Sequence, residues 1–301
     1  GLNATSFDNV SIRNCNITNF TTGIFFFNAT NSTIHNNTIL NTTSAAISIQ
    51  NASVLNTIHT NTLRLNASYR SQGIVLANFT RLTNITNNTI NVTGNDSIGI
   101  ALYFNVNDTL ILGNAVVTNN TRTNGILLNN SIARTNISTN SINVTTNLSR
   151  GIYADTNVND TIIHNSTLTV RGYAVFFDNK IWRTNITNNF INISSEQDVS
   201  AIALTTDVND TNIGNNTIIS NNSGNGFGVQ PIIRVARLNI TNNEINVTGE
   251  ADGISITSAN YDVIIMNNRI RTGGSNGIRL SPVFRANITL NNITVSGSRA
   301  G

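Results

Sequence analysis

Thr83-Asn84-Ile85-Thr86-Asn87-Asn88-Thr89-Ile90-Asn91-Val92-Thr93 runs on through Gly94-Asn95-Asp96 to Gly99-Ile100-Ala101-Leu102. Two-residue alternation puts Ile85, Ile90 and Val92 on one side of an extended chain and Asn84, Asn91 and Thr93 on the other. Asn87-Asn88 marks one turn and Gly94-Asn95-Asp96 another. The stretch therefore reads as short half-buried strands joined by tight corners. One such unit cannot close a core alone.

The unit recurs along nearly the whole chain. From Ile12, the first Ile of the pattern Ile-x-x-Asn-x-Ile returns at Ile34, Ile58, Ile85, Ile111, Ile137, Ile163, Ile186, Ile213, Ile240, Ile265 and Ile288, at spacings of 22 to 27 residues. A period of this length is the mark of a solenoid. The fourth position of the pattern reads Cys15, Asn37, Asn61, Asn88, Asn114, Asn140, Ser166, Asn189, Asn216, Asn243, Asn268 and Asn291. Such a column predicts a structural ladder of stacked amides. Gly-Ile-x-Leu segments recur at Gly73-Ile74-Val75-Leu76, Gly125-Ile126-Leu127-Leu128 and Gly253-Ile254-Ser255-Ile256 and supply a third strand per turn. The expectation is an all-β, right-handed parallel β-helix of about twelve coils with three short parallel sheets. It forms one domain over residues 1–301, roughly 55–60 Å long at ~4.8 Å per coil.

The cycle Gly-Ile-x-Leu … Asn-x-x-Ile-x-x-Asn-x-Ile resembles the parallel β-helix repeats of the pectate-lyase-like superfamily, including NosD-like surface proteins. The resemblance covers about residues 9 to 296. It implies the fold and leaves the function open, because that superfamily holds lyases, hydrolases, phage tailspikes, adhesins and non-catalytic surface proteins.

Composition narrows the choice. There are 58 Asn among 301 residues, 10% are charged and the net charge is +3. Regularly spaced Ile, Val and Leu exclude a disordered chain. No basic run suggests a nucleic acid partner, and no apolar stretch reaches membrane-spanning length. The single Cys15 excludes a disulfide framework. Neither end carries an evident capping helix, and a start at Gly1 rather than Met suggests processing or a fragment. Open ends of matching cross-section predict head-to-tail assembly of the chain with itself.

Two outward patterns stand out. Three residues before the first Ile, the later coils read Asp108, Arg134, Asp160, Arg183, Asp210, Arg237, Asp262 and Arg285. On stacked strands this alternation predicts a charge column in which each Arg lies between Asp neighbours, with Arg285 facing Asp8 or Asn9 of a following copy. The second pattern is the sequon Asn-x-Ser/Thr, which occurs 32 times where composition predicts roughly 13. The reversed motif Ser/Thr-x-Asn occurs about 13 times, so alternation of polar residues does not account for the direction. Covalent N-glycans are therefore expected on an extracellular or cell-surface protein. The acceptors with both polar residues outward are Asn84, Asn91, Asn136, Asn143, Asn185, Asn192, Asn239, Asn246 and Asn287.

Catalytic signals are sparse. Polysaccharide-cleaving β-helices need clustered acid groups, and only 14 acidic residues are present. The hydrolase signatures Asn-Thr-Asp, Asp-Asp and Gly-His-Gly are missing. Asp155 and Asp160, with Asp207 and Asp210 two coils later, offer at most a weak calcium site. His35, His59 and His164 read as surface residues, and Trp182 with Tyr173 is a candidate sugar platform. No catalytic residue, cofactor or metal site is expected. The reading is a non-enzymatic structural subunit of an extracellular filament or surface layer; the alternative is a tailspike-like β-helix that binds or cleaves polysaccharide.

Overall fold

A computed structural model describes residues 1–296 except 223, 225 and 275. It consists of strands stacked in twelve coils, each coil contributing one segment to each of three faces. In coil 4 these are Gln72–Ala77, Asn84–Thr86 and Thr89–Asn95, and in coil 5 they are Ile98–Tyr103, Asn107–Leu112 and Ala115–Asn119. Every pairing between coils is parallel, and the register follows the repeat: Ile85 pairs with Ile58 below it and Ile111 above it. The asparagine period is thus the layer period.

The expectation of three separate sheets needs correction. Hydrogen bonding defines one 12-stranded sheet, the third face, and one 20-stranded sheet that combines the first two. In five of the last six coils the strand runs through the corner, as in Arg150–Asn159, Tyr173–Thr187 and Ile202–Gly214, whereas coil 10 breaks between Val229–Ile233 and Ala236–Thr241. Single left-handed residues make the bend, among them Lys180 and Arg183 (φ 57° and 52°). One such residue turns the chain while its neighbours keep their ladder bonds, so the two faces stay joined.

The interior is almost wholly aliphatic. Ile85, Ile90, Val92, Ile100 and Leu102 are all completely buried, and the same columns are filled in the other inner coils. Glycine in Gly-Ile-x-Leu has a packing reason. A Cβ on Gly125 would lie 2.5 Å from the Ile142 side chain and 2.6 Å from the Gly151 carbonyl oxygen, so the face-three aliphatic residue sits directly on the glycine backbone.

The corner between faces two and three carries the ladder. Its first residue is left-handed, as at Asn36, Asn87, Asn188, Asn215, Asn242 and Asn267, a conformation that asparagine tolerates well. The second residue turns inward and is buried: Asn37, Asn61, Asn88, Asn114, Asn140, Asn189, Asn216, Asn243 and Asn268 are at most 2% exposed. The terminal Asn291 is half-buried. Asn114 shows the bonding. Its Oδ1 accepts from the backbone N–H and Nδ2 of Asn88 at 2.9 and 3.0 Å, and its Nδ2 donates to the Ile85 carbonyl at 2.8 Å. Ser166 interrupts the series: its Oγ accepts from the Asn140 N–H at 3.2 Å, but the Ile137 carbonyl receives no side-chain amide from the ladder. Cys15 stands where no earlier described coil presents a carbonyl to serve.

Asn114→Ala leaves the Asn88 N–H buried and unpaired, at about 1–3 kcal/mol, and removes the side-chain amide from the Ile85 carbonyl, at about 1 kcal/mol. We expect a loss of about 2–5 kcal/mol of stability, seen as a lowered urea midpoint. Ser166→Asn, which supplies the missing amide to Ile137, is expected to gain about 1 kcal/mol in the same measurement.

Candidate functional surfaces

With the interior committed to packing, function falls to the outward columns. The charge column lies on one corner, and every member from Asp108 to Arg285 is left-handed. The side chains form separate dyads rather than a continuous alternating ladder. Arg183 grips Asp160 of the preceding coil through Nε and Nη2 at 2.6 and 2.9 Å, and Arg134 holds Asp108 at 2.5 and 2.8 Å. Arg237 pairs with Asp210, and Arg285 with Asp262 at 2.6 Å. A guanidinium presents two parallel donors that one carboxylate fills completely, which explains pairing in twos. The member of this column in coil 1 is Asn9, left-handed at φ 59°, whereas Asp8 lies in the neighbouring column and bridges to Thr30. Arg285 would therefore face Asn9, not Asp8, in a stacked copy.

The acidic residues considered for calcium are otherwise engaged. Asp207 binds Arg234 at 2.7 Å, and Asp160 and Asp210 belong to the dyads. Among the described residues no group of three or more potential ligands converges on one point. His35 and His59 stack with centroids 4.9 Å apart, and His164 Nδ1 lies 3.1 Å from Thr187 Oγ1. Burial, with the neighbouring His35 as a second cause, lowers the pKa of His59.

All nine strand acceptors face outward. Asn84, Asn91, Asn143, Asn185, Asn239, Asn246 and Asn287 are exposed, while Asn136 and Asn192 are half-buried. Of the 32 sequon asparagines none is buried, and none of the 13 buried asparagines is a sequon acceptor. Strand parity explains most of the second fact, because an inward Asn such as Asn88 or Asn114 has an inward, apolar residue two positions on; Asn222 and Asn260 are followed there by Gly224 and Asp262.

The first face differs. Its strands carry only two acceptors, Asn3 and Asn129, and its outer surface in the middle coils is apolar and aromatic. Tyr103 packs over Val75, Ala77 and Ala101. Its hydroxyl accepts from Gln72 Nε2 at 2.8 Å, and burial pushes its pKa up to about 12. In coils 7 and 8 a polar cluster follows. The Arg150 guanidinium lies 4.2 Å from the Tyr153 ring centre and 4.7 Å from that of Phe176. The Tyr153 hydroxyl lies 3.1 Å from Asp155 Oδ1 and 3.2 Å from Asp178 Oδ2, on stacked strands. Burial, reinforced by Asp155 and Asp178, raises the Tyr153 pKa, so the phenol remains a donor. Such a group can grip hydroxyls and stack on a sugar ring, but a strongly protonated phenol is a poor base. The Trp182–Tyr173 platform does not form. Tyr173 packs edge-on against Phe176 at 4.8 Å, and Trp182 lies beyond the corner beside Asn159 and Asn209. Sequence reading expects Phe176 to stack against the sheet, as it does on Tyr153 and Tyr173, but it missed Tyr153, which occupies the x position of a Gly-Ile-x-Leu-type segment one coil earlier.

Arginine bonds hold the carboxyls of Asp108, Asp160 and Asp210 below their usual range. A carboxyl depressed in the folded state adds stability above its unfolded pKa, near 3.9, and loses it as pH falls through the lower folded value. Thermal stability is therefore expected to decline as pH drops below about 4. Replacing all three aspartates by Asn should flatten that part of the pH profile in a melting series.

Residues 1–116 match the family model described as "Right handed beta helix region". No curated protein matches the chain in sequence. Among solved structures, the chain is similar to the Streptococcus pneumoniae surface protein and adhesin PfbA, with TM-score 0.61 and 11% identity over 99% of this chain and 90% of that one. The Dettilon tailspike protein gives TM-score 0.59 and 13% identity, covering 94% of this chain and 61% of the tailspike, so the chain spans less than two thirds of that protein. A double mutant of the periplasmic alginate epimerase AlgG gives TM-score 0.59 and 11% identity over 94% of this chain and 77% of the epimerase. At these identities the likeness concerns fold. The fold is that of a right-handed parallel β-helix, and residues 1–116 match the family model of that description.

Proposed function

We propose that the chain is a non-enzymatic, N-glycosylated structural β-helix of an extracellular or cell-surface layer, extended by stacking end to end with copies of itself. The observation that carries the glycosylation is directional: 32 sequons against about 13 reversed motifs, with every acceptor reachable from solvent. Parity makes Asn and Thr face outward together, and left-handed asparagine sets their order at corners such as Asn36 and Asn87; on the strands, as at Asn84 and Asn91, selection for the acceptor motif supplies it.

The stacking reading rests on coil 12. Leu280, Ile288 and Ile293 are 37%, 40% and 43% exposed, whereas Ile256, Ile265 and Ile270 in the same columns of coil 11 are fully buried. A further β-coil is the natural cover, since it buries these side chains and pairs the strand edges. Coil 1 of a second copy has the required cross-section. The junction would resemble the break at Ser166, because Cys15 offers no amide to the Ile288 carbonyl.

A second reading, carbohydrate binding on the first face, is favoured by the Arg150–Tyr153–Phe176 stack beside Asp155 and Asp178. It is compatible with a structural role.

Ile288→Asp with Ile293→Asp should keep the solenoid folded and abolish concentration-dependent association in sedimentation velocity. A wild-type chain that stays monomeric at high concentration, or a native protein whose own further coils cover this rim, would refute assembly. For the second reading, Tyr153→Ala should weaken retention on acidic and neutral polysaccharide gels if the face binds sugar, and leave it unchanged if it does not.

A further inference from the structure

Stacking register reveals an order in the acceptors that residue counting hides. On the second face, the hydrogen-bonded column through Asn84 continues as Leu110, Asn136, Ile162, Asn185, Asn212, Asn239, Ile264 and Asn287. Sequon acceptors occupy coils 4, 6, 8, 10 and 12 and no coil between. Even where the intervening rung is asparagine, at Asn212, the residue two positions on is Gly214 and the motif is incomplete. On the third face, the column through Asn91 continues as Val117, Asn143, Thr169, Asn192, Ile219 and Asn246, again with acceptors on coils 4, 6, 8 and 10 only.

Odd coils carry their strand acceptors elsewhere. Asn107, Asn159 and Asn209 lie in a different column of the second face, separated there by Ala133 and Trp182. Asn119 and Asn221 lie two residues further along the third face, where they accept from the Thr145 and Thr248 hydroxyls of the next coil's sequons at 2.9 and 3.4 Å. Apart from Asn95 and Asn129, the strand acceptors of coils 4–10 thus form a staggered lattice on two faces, with same-column neighbours two coils, about 9.6 Å, apart.

We infer that this chain carries Asn-linked oligosaccharides on alternate coils of each strand column, with the intervening rung as the seat of the sugar. The inference rests on the glycosylation reading above and adds where the sugars go. A hexose with equatorial substituents is wider than the ~4.8 Å step between coils, so two cannot stand on adjacent rungs of one column, whereas two steps admit both. The intervening rungs supply an independent sign. Ile162 and Ile264 are 41% and 36% exposed, and Leu110 occupies the same column on coil 5. An aliphatic side chain there offers the C–H face of a neighbouring sugar an apolar contact. Beside Asn239, Arg237, Asp262 and Ile264 line a shallow groove of this kind.

Gly214→Thr completes the motif Asn212-Ile-Thr on coil 9, between Asn185 and Asn239. A Cβ at Gly214 meets nothing nearer than Thr241 Oγ1 at 3.5 Å, so the variant fits. The protein is secreted from a host with an Asn-linked oligosaccharide transferase, and site occupancy is read by glycopeptide and intact-mass spectrometry. In the wild type we expect sugar on the nine strand acceptors, and never on Asn9 and Asn31 together in one molecule, since these adjacent rungs are joined by an Asn31 Nδ2–Asn9 Oδ1 bond of 2.7 Å. In the variant, sugar at Asn212 should appear only with its loss from Asn185 or Asn239. Full modification of all three on one molecule, or of Asn9 with Asn31, overturns the alternate-coil rule while glycosylation stands. Sugar at no site overturns both.

Discussion

A buried carboxamide that bonds in both directions along the axis is the constraint on which this molecule depends. A β-helix must turn sharply three times per coil, and each turn strands backbone N–H and C=O groups where water cannot reach them. The asparagine column answers one of these corners: each Oδ1 accepts from the N–H of the coil below it and each Nδ2 donates to a carbonyl of that coil. Because the amide has one correct height, it also fixes the register of the strands on either side. A slip of one residue would turn both apolar and polar columns to the wrong side.

Once the register is fixed, parity distributes chemistry over the surface. The second and third faces are rich in Asn and Thr, the corner between the first and second faces holds the Arg–Asp dyads, and the first face in the middle coils is largely apolar and aromatic, with a polar cluster around Tyr153. The division suits a rod with two faces dressed for solvent and one left bare for contact.

Much of this was legible in the sequence because the signals are periodic. The column from Asn37 to Asn291, the Gly-Ile-x-Leu segments and the alternation from Asp108 to Arg285 each repeat with the coil, and repetition averages out local ambiguity. What escaped reading depends on side-chain direction or on turn length. The guanidinium of Arg183 reaches back to Asp160 and not forward to Asp210, a choice set by rotamer and bidentate fit. Corner continuity, which merges two faces into one sheet, depends on single left-handed residues such as Lys180. Tyr173 and Trp182 look close in sequence, but a corner separates them. The alternate-coil placement of acceptors was present in the letters, yet coil lengths vary, and only hydrogen-bonded register shows which residues share a column.

The ladder has a direction. Every inner asparagine completes the coil before it, as Asn37 does for the Ile12 carbonyl, and waits for the coil after it to accept its own N–H, as Asn61 does for Asn37. A polypeptide leaves the ribosome amino end first, so each layer is finished only by residues synthesised later. A chain that folded coil by coil from its amino end would carry an unfinished rim at the leading edge and settled layers behind it, much as a crystal advances from a single active step.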